Sequence, residues 1–158
     1  MNDLPNRIGE LWDARTAPND CVIKNIDYEE YAGYFEGNDF REFYQELKHS
    51  EYIKSQACLH YLNDIGVAYF IASYALYAIC LVDDGGSSNF MQDEALSHFI
   101  SIVCSKRWRK IVPLFSGAEI ACLNEVIELL VKHSEDLYIE EEVGRLNNAC
   151  SGMVSKQS

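Results

Sequence analysis

The sequence predicts an all-α fold: a single-domain bundle of about six to eight helices around one buried apolar helix at about residues 64–82. Three observations carry this prediction. Residues 65–82 (IGVAYFIASYALYAICLV) hold no charged side chain, and Ser73 and the hydroxyls of Tyr69, Tyr74 and Tyr77 are the only polar breaks. A segment apolar on every face has to be surrounded. The flanking chain supplies the cover, in helical stripes such as Phe40, Phe43, Tyr44 and Leu47, which follow the i, i+3, i+4, i+7 pattern. Finally, Ser116 and Glu119 stand at capping-box spacing, with Phe115 and Ile120 placed to form a hydrophobic staple.

The central segment is close to the shortest length that spans a bilayer. Gly66, Ser73 and three tyrosines dilute it, however, and acids rather than Lys or Arg flank both ends, so no positive-inside signal is present. It is therefore read as a core helix. Asn63 or Asp64 can cap its start, and Asp83, Asp84, Gly85 and Gly86 end it with turn chemistry.

In chain order, Asp3 can cap a first helix with Pro5 in its first turn, and Leu4, Ile8, Leu11 and Trp12 share a face. Residues 16–20 form a loop, and Cys21, Val22 and Ile23 allow a brief extended piece. Asp27 can cap a second helix, closed by Gly37, and Asn38 a third that carries Phe40 to Leu47. Ser50 starts a helix expected to reach Tyr61 with Tyr52, Ile53, Ala57 and His60 inward. After the glycine-rich loop, Ala95, Leu96, Phe99, Ile100 and Val103 form a stripe, and Pro113 breaks the run that follows. The capping-box helix presents Ile120, Leu123, Ile127, Leu130 and Val131. A last helix is expected to carry Ile139, Val143 and Leu146 on one side and Asp136, Glu140, Glu141 and Glu142 on the other, weakened by Gly144. Residues 1–150 read as one helical domain and 151–158 as a tail that frays. No repeat or linker interrupts the chain.

The 158 residues carry 25 acids against 13 Lys and Arg, a net charge of −12. Such a balance repels nucleic acid and anionic lipid and attracts basic partners; it also serves solubility. The start has no signal-peptide pattern, and the six cysteines contain no CxxC pair, so a cytoplasmic protein with reduced thiols is expected.

Chemistry-bearing motifs are absent. The four histidines show no HxxxH spacing, GxSxG, GxGxxG and the P-loop do not occur, and residues 83–86 fail the EF-hand spacing. Glu94 and His98 read as a surface pair. Lys106, Arg107, Arg109 and Lys110 read as cations complementing a helix C-terminus. No cofactor, metal or nucleic-acid partner is implied.

The unusual stretch is 27–46, where Asp27, Glu29, Glu30, Glu36, Asp39, Glu42 and Glu46 face only Arg41 and are interleaved with Tyr28, Tyr31 and Tyr34. Tyrosine supplies contact area at low entropic cost, and clustered acids speed encounter with a basic partner. Two readings stand: a partner surface centred on Asp27, Tyr28, Glu29, Glu30, Tyr31, Tyr34, Glu36 and Asp39, or core aromatics beneath a solvated acidic face. Asp136 with Glu140, Glu141 and Glu142 forms a second candidate patch.

Two stretches, YFIASYALYAICLVDD and PLFSGAEIACLNEVIELL, resemble segments of small acidic all-helical bacterial proteins, including immunity proteins of polymorphic or contact-delivered toxin systems. The resemblance implies a non-enzymatic protein that binds a cognate toxin, or another basic protein surface, and blocks it; it carries over no site residue. Two alternatives remain: an enzyme or small-ligand receptor with a site near Tyr69, Tyr74 and Tyr77, and a structural or self-associating protein such as a homodimer.

Overall fold

Helix α5 (Asp64–Asp83) is the axis of the structure, and fifteen of its residues are buried. The computed structural model describes residues 3–25, 27–85 and 93–157; Gly86, expected in the turn after α5, lies outside them. The described residues form nine α-helices. Those before α5 are α1 (Leu4–Asp13), α2 (Tyr28–Phe35), α3 (Phe40–His49) and α4 (Glu51–Gln56). Those after it are α6 (Glu94–Val103), α7 (Trp108–Ile111), α8 (Gly117–Lys132) and α9 (Val143–Gln157). The number exceeds the expected range because α4 and α7 are only six and four residues long. Three-residue 3-10 turns lie at Leu59–Tyr61, Val112–Leu114 and Glu140–Glu142. The fold is all-α; the extended piece at Val22 makes a single antiparallel bridge to Leu62.

Helix α5 touches α1, α3, α6, α7 and α8. It is long and apolar enough to cross a membrane, but 83% of its most apolar window is buried inside the protein. Asn63 caps it, accepting from the Gly66 N–H at 2.9 Å, while Asp64 instead accepts from Arg107. At Gly66 a Cβ would meet the Cys21 Cβ at 2.8 Å, so only glycine lets the 21–22 strand piece lie against the helix start. Buried side chains from Leu4 to Met153 form one cluster.

The polar groups of α5 work as directional contacts. Tyr69 Oη accepts from the Phe40 N–H at 3.1 Å, and Ser73 Oγ donates to the Phe40 carbonyl at 2.6 Å. Tyr74 Oη donates to the Ala57 carbonyl, and Tyr77 Oη to Asp93 Oδ2 at 2.6 Å. Trp12 Nε1 reaches in from α1 to the Ala68 carbonyl at 2.9 Å.

Several local expectations are corrected. The helix from Ser50 stops at Gln56, because Ala57 and Cys58 turn extended and Ala57 presents its carbonyl to Tyr74. Tyr52, expected inward, is 56% exposed, and His60 is exposed and bonded to Ser101. Asp39, not Asn38, caps α3; Asn38 instead donates to the Gly33 and Tyr34 carbonyls at the end of α2. Asp3 and Asp27 occupy cap positions without a side-chain capping bond. The final helix starts at Val143, later than expected, and continues past Ser151, where the chain was expected to fray, to Gln157 with Met153 fully buried. The capping box of Ser116 and Glu119 is present in both directions.

Candidate functional site

Helix α2 places Tyr31 and Tyr34 one turn apart on one face. Tyr61, from the 3-10 turn before α5, stacks on Tyr31 with ring centroids 4.1 Å apart and planes 16° from parallel. Tyr34 lies 6.5 Å from Tyr31 and meets Tyr52 of α4 edge-on at 6.0 Å. The result is a ladder, Tyr61–Tyr31–Tyr34–Tyr52, that runs from a half-buried ring through the buried Tyr31 and ends in solvent. Tyr31 is 7% exposed, Tyr34 is half-buried and Tyr52 stands out. Aromatic contacts of this kind add about 0.5–1.5 kcal/mol each beyond burial.

The outer rung is also fixed by a hydrogen bond, since Tyr52 Oη donates to Glu30 Oε1 at 2.7 Å. The Tyr34 hydroxyl and the Glu30 carboxylate both push the Tyr52 phenol pKa upward, so it stays a donor. Burial, and then the Tyr61 hydroxyl, raise that of Tyr31. Asp27 stands with Glu30 toward Tyr31, Glu29 is exposed on the other side of α2, and among the described residues none of the three takes part in an ion pair.

The remaining predicted residues of this stretch have structural partners. Glu36 turns inward, where Oε2 accepts from the Cys21 N–H at 2.9 Å and Oε1 from the Tyr28 hydroxyl at 2.6 Å. Burial would raise the Glu36 carboxyl, but those donors outweigh it and hold it below the usual value. Tyr28 also carries Lys24 Nζ 3.7 Å from its ring centre. Asp39 is the α3 cap, and Arg41 is bound by Asp13 of α1 at 2.8 Å. The outward face is therefore Asp27, Glu30 and Tyr34 together with Tyr52, and Glu29 is exposed on the opposite side of α2. The signal for Tyr52 was its i+3 and i+4 neighbours, Ser55 and Gln56, both polar.

The second patch is built differently. Glu140–Glu142 form a 3-10 turn ahead of α9, not one face of a helix. Glu142 is half-buried and pairs with Arg145 at 2.6 Å, whereas Asp136, Glu140 and Glu141 are exposed. Between them Tyr138 stands 64% exposed on a left-handed backbone, φ 56°, a conformation rare for aromatic residues.

The central tyrosines lie in solid core, 3%, 1% and 4% exposed for Tyr69, Tyr74 and Tyr77, and their hydroxyls are engaged as described above. Burial raises the Cys21 thiol to about 12 and the Cys150 thiol to about 11, and it also raises those of Cys58, Cys104 and Cys122. Such thiols are poor nucleophiles at neutral pH. The six cysteines are free, and His98 packs edge-on against Tyr74 at 6.5 Å rather than forming an exposed pair. Searches found no family model, curated protein or solved structure that matches this chain.

Proposed function

We propose that the protein is an acidic binding module that receives a basic protein surface, in the manner of an immunity-type inhibitor holding a bacterial toxin. The observation that carries this reading is the outer end of the tyrosine ladder, where Tyr52 and Tyr34 are braced by Tyr31 behind them and bordered by Glu30 and Asp27. A rigid, part-exposed aromatic with an acidic border combines a residence-time anchor with electrostatic steering. The net charge of −12 extends the steering field. The engaged hydroxyls of the central tyrosines favour this reading over a ligand site between the helices.

The test begins with a pull-down against the product of the adjacent gene, followed by binding kinetics. Reversing Glu29 and Glu30 to lysine should slow association and flatten its dependence on salt. Tyr52→Ala should leave association nearly unchanged and speed dissociation by about fivefold or more, the signature of a hot spot. Unchanged kinetics in both variants, with normal thermal melts, would remove the surface from consideration and direct attention to the Glu140–Glu142 patch.

A further inference from the structure

The protein sets several of its own cations over aromatic rings. Lys24 Nζ lies 3.7 Å from the centre of the Tyr28 ring, Lys48 Nζ 5.3 Å from that of Tyr44 and Lys54 Nζ 5.4 Å from that of Tyr77. Arg15 stands over Trp12 and Phe115, and Arg41 over Phe40. The outer rungs of the tyrosine ladder differ. Among the described residues no Lys or Arg lies over the ring of Tyr34 or Tyr52, and none pairs with Asp27 or Glu30.

The geometry of that corner suits a cation from outside. Tyr52 is 56% exposed, and Tyr34 meets it edge-on, a contact that covers at most one face of the outer ring. The face of an aromatic ring is its negative side. The Tyr52 hydroxyl occupies Glu30 Oε1 at 2.7 Å, so the ring and the carboxylate are held side by side. Among the described residues Glu30 Oε2 accepts no hydrogen bond. Asp27 lies one turn earlier on the same side of α2, and its side chain makes no capping bond. An exposed ring face therefore stands beside two carboxylates that no cation of the chain neutralises.

We propose that the outer end of the ladder receives an arginine side chain of a basic protein, its guanidinium stacked on the Tyr52 ring and donating to the Glu30 and Asp27 carboxylates. The inference rests on the reading of this face as a partner surface, and it adds which side chain of the partner the face selects. Guanidinium is flat, weakly hydrated and carries its five N–H donors in a fork, so it can stack and bridge two carboxylates at once. Lysine offers a compact, strongly hydrated point charge that cannot do both. The net charge of −12 favours such a partner from a distance.

The experiment titrates the full chain with fluorescently labelled hexa-arginine and, separately, hexalysine, followed by anisotropy at physiological salt. The two peptides carry equal charge, and loose surface attraction is screened. Hexa-arginine should bind about fivefold more tightly than hexalysine. Tyr52→Leu keeps an apolar side chain at this exposed position and should abolish the preference, leaving hexalysine within about twofold of its parent affinity. Glu30→Gln keeps an acceptor for the Tyr52 hydroxyl and should weaken hexa-arginine by about threefold or more. Glu140→Gln, in the other acidic patch, should alter neither peptide. If the Tyr52 variant melts early, the Glu30 variant decides. Equal affinity for the two peptides, or an arginine preference that survives both variants, would overturn the proposal. A protein partner that dissociates faster from Tyr52→Ala, while the peptides bind alike, overturns arginine selection and leaves the partner surface standing. A Tyr52-dependent arginine preference with no captured neighbour supports the arginine site and counts against the toxin reading.

Discussion

The two acidic patches look alike as sequence and differ as structure. In 27–39 the aromatics are tied together, and two of the acids, Glu36 and Asp39, serve the chain's own N–H groups. In the turn before α9, Tyr138 projects from a left-handed residue, and Leu137, 1% exposed, anchors the turn beneath it. The contrast teaches that acid density and tyrosine content do not define a binding surface. What distinguishes the first patch is the bracing behind its outermost ring, because a side chain already fixed in place loses less entropy on meeting a partner.

Four measurements can break or sharpen this comparison. The largest effect should come from Tyr31→Ala, which removes the inner rung of the ladder. A loss of about 3 kcal/mol in urea unfolding is expected, against a change within about 0.5 kcal/mol for Tyr138→Ala. Equal losses would mean that the ladder is not a brace. Next, Glu36→Ala strips the Cys21 N–H and the Tyr28 hydroxyl of their acceptor and should cost about 1–2 kcal/mol, whereas Glu140→Ala should be near neutral by the same assay.

The third measurement is pH. Glu119 is 5% exposed; burial would raise its carboxyl, but Arg15 at 2.6 Å and the Ser116 N–H hold it below the usual 4.5, as the donors around Glu36 hold that residue. A depressed folded-state pKa means that the native state binds fewer protons than the unfolded chain. Both contributions are therefore complete above about pH 4.5 and fade as pH falls through the lower folded values. Urea midpoints taken from about pH 6 to about pH 3 should decline less steeply in Glu36→Gln and Glu119→Gln than in the parent. The smallest effect is expected at Tyr138→Gly, which relieves the left-handed strain and should raise the melting temperature by about 1–3 °C. A lower melting temperature would show that the Tyr138 ring contributes contacts outweighing the strain.

Much of the fold could be read from local chemistry. The apolar run, the Asn63 cap and the capping box of α8 each rest on neighbours within a few residues, and each is present. The failures share a different cause, namely partners far along the chain. Ala57 leaves the helix to meet Tyr74, and Glu119 is buried because Arg15 lies opposite it. Neither pairing has a spacing signal. Tyr52 reads as inward only on a helix that reaches Tyr61; with the helix ending at Gln56, the ring leans outward on Tyr34 and Glu30 instead. The basic run read as a response to a helix terminus, but α7 has only four residues and Arg107 turns inward to Asp64 at the start of α5.

The hydroxyls on α5 have a consequence beyond satisfying polar atoms. A helix apolar on all sides has no wet face to tell it which way to turn, so burial alone leaves its azimuth nearly degenerate. Tyr69 and Ser73 grip opposite ends of the Phe40 residue, Tyr74 finds one carbonyl on the chain between α4 and α5, and Tyr77 finds the cap of α6. These bonds act as keyways on an otherwise greasy shaft. They contribute little to how strongly α5 is held and much to the single angle at which it can sit, because rotating it would bury each hydroxyl without a partner.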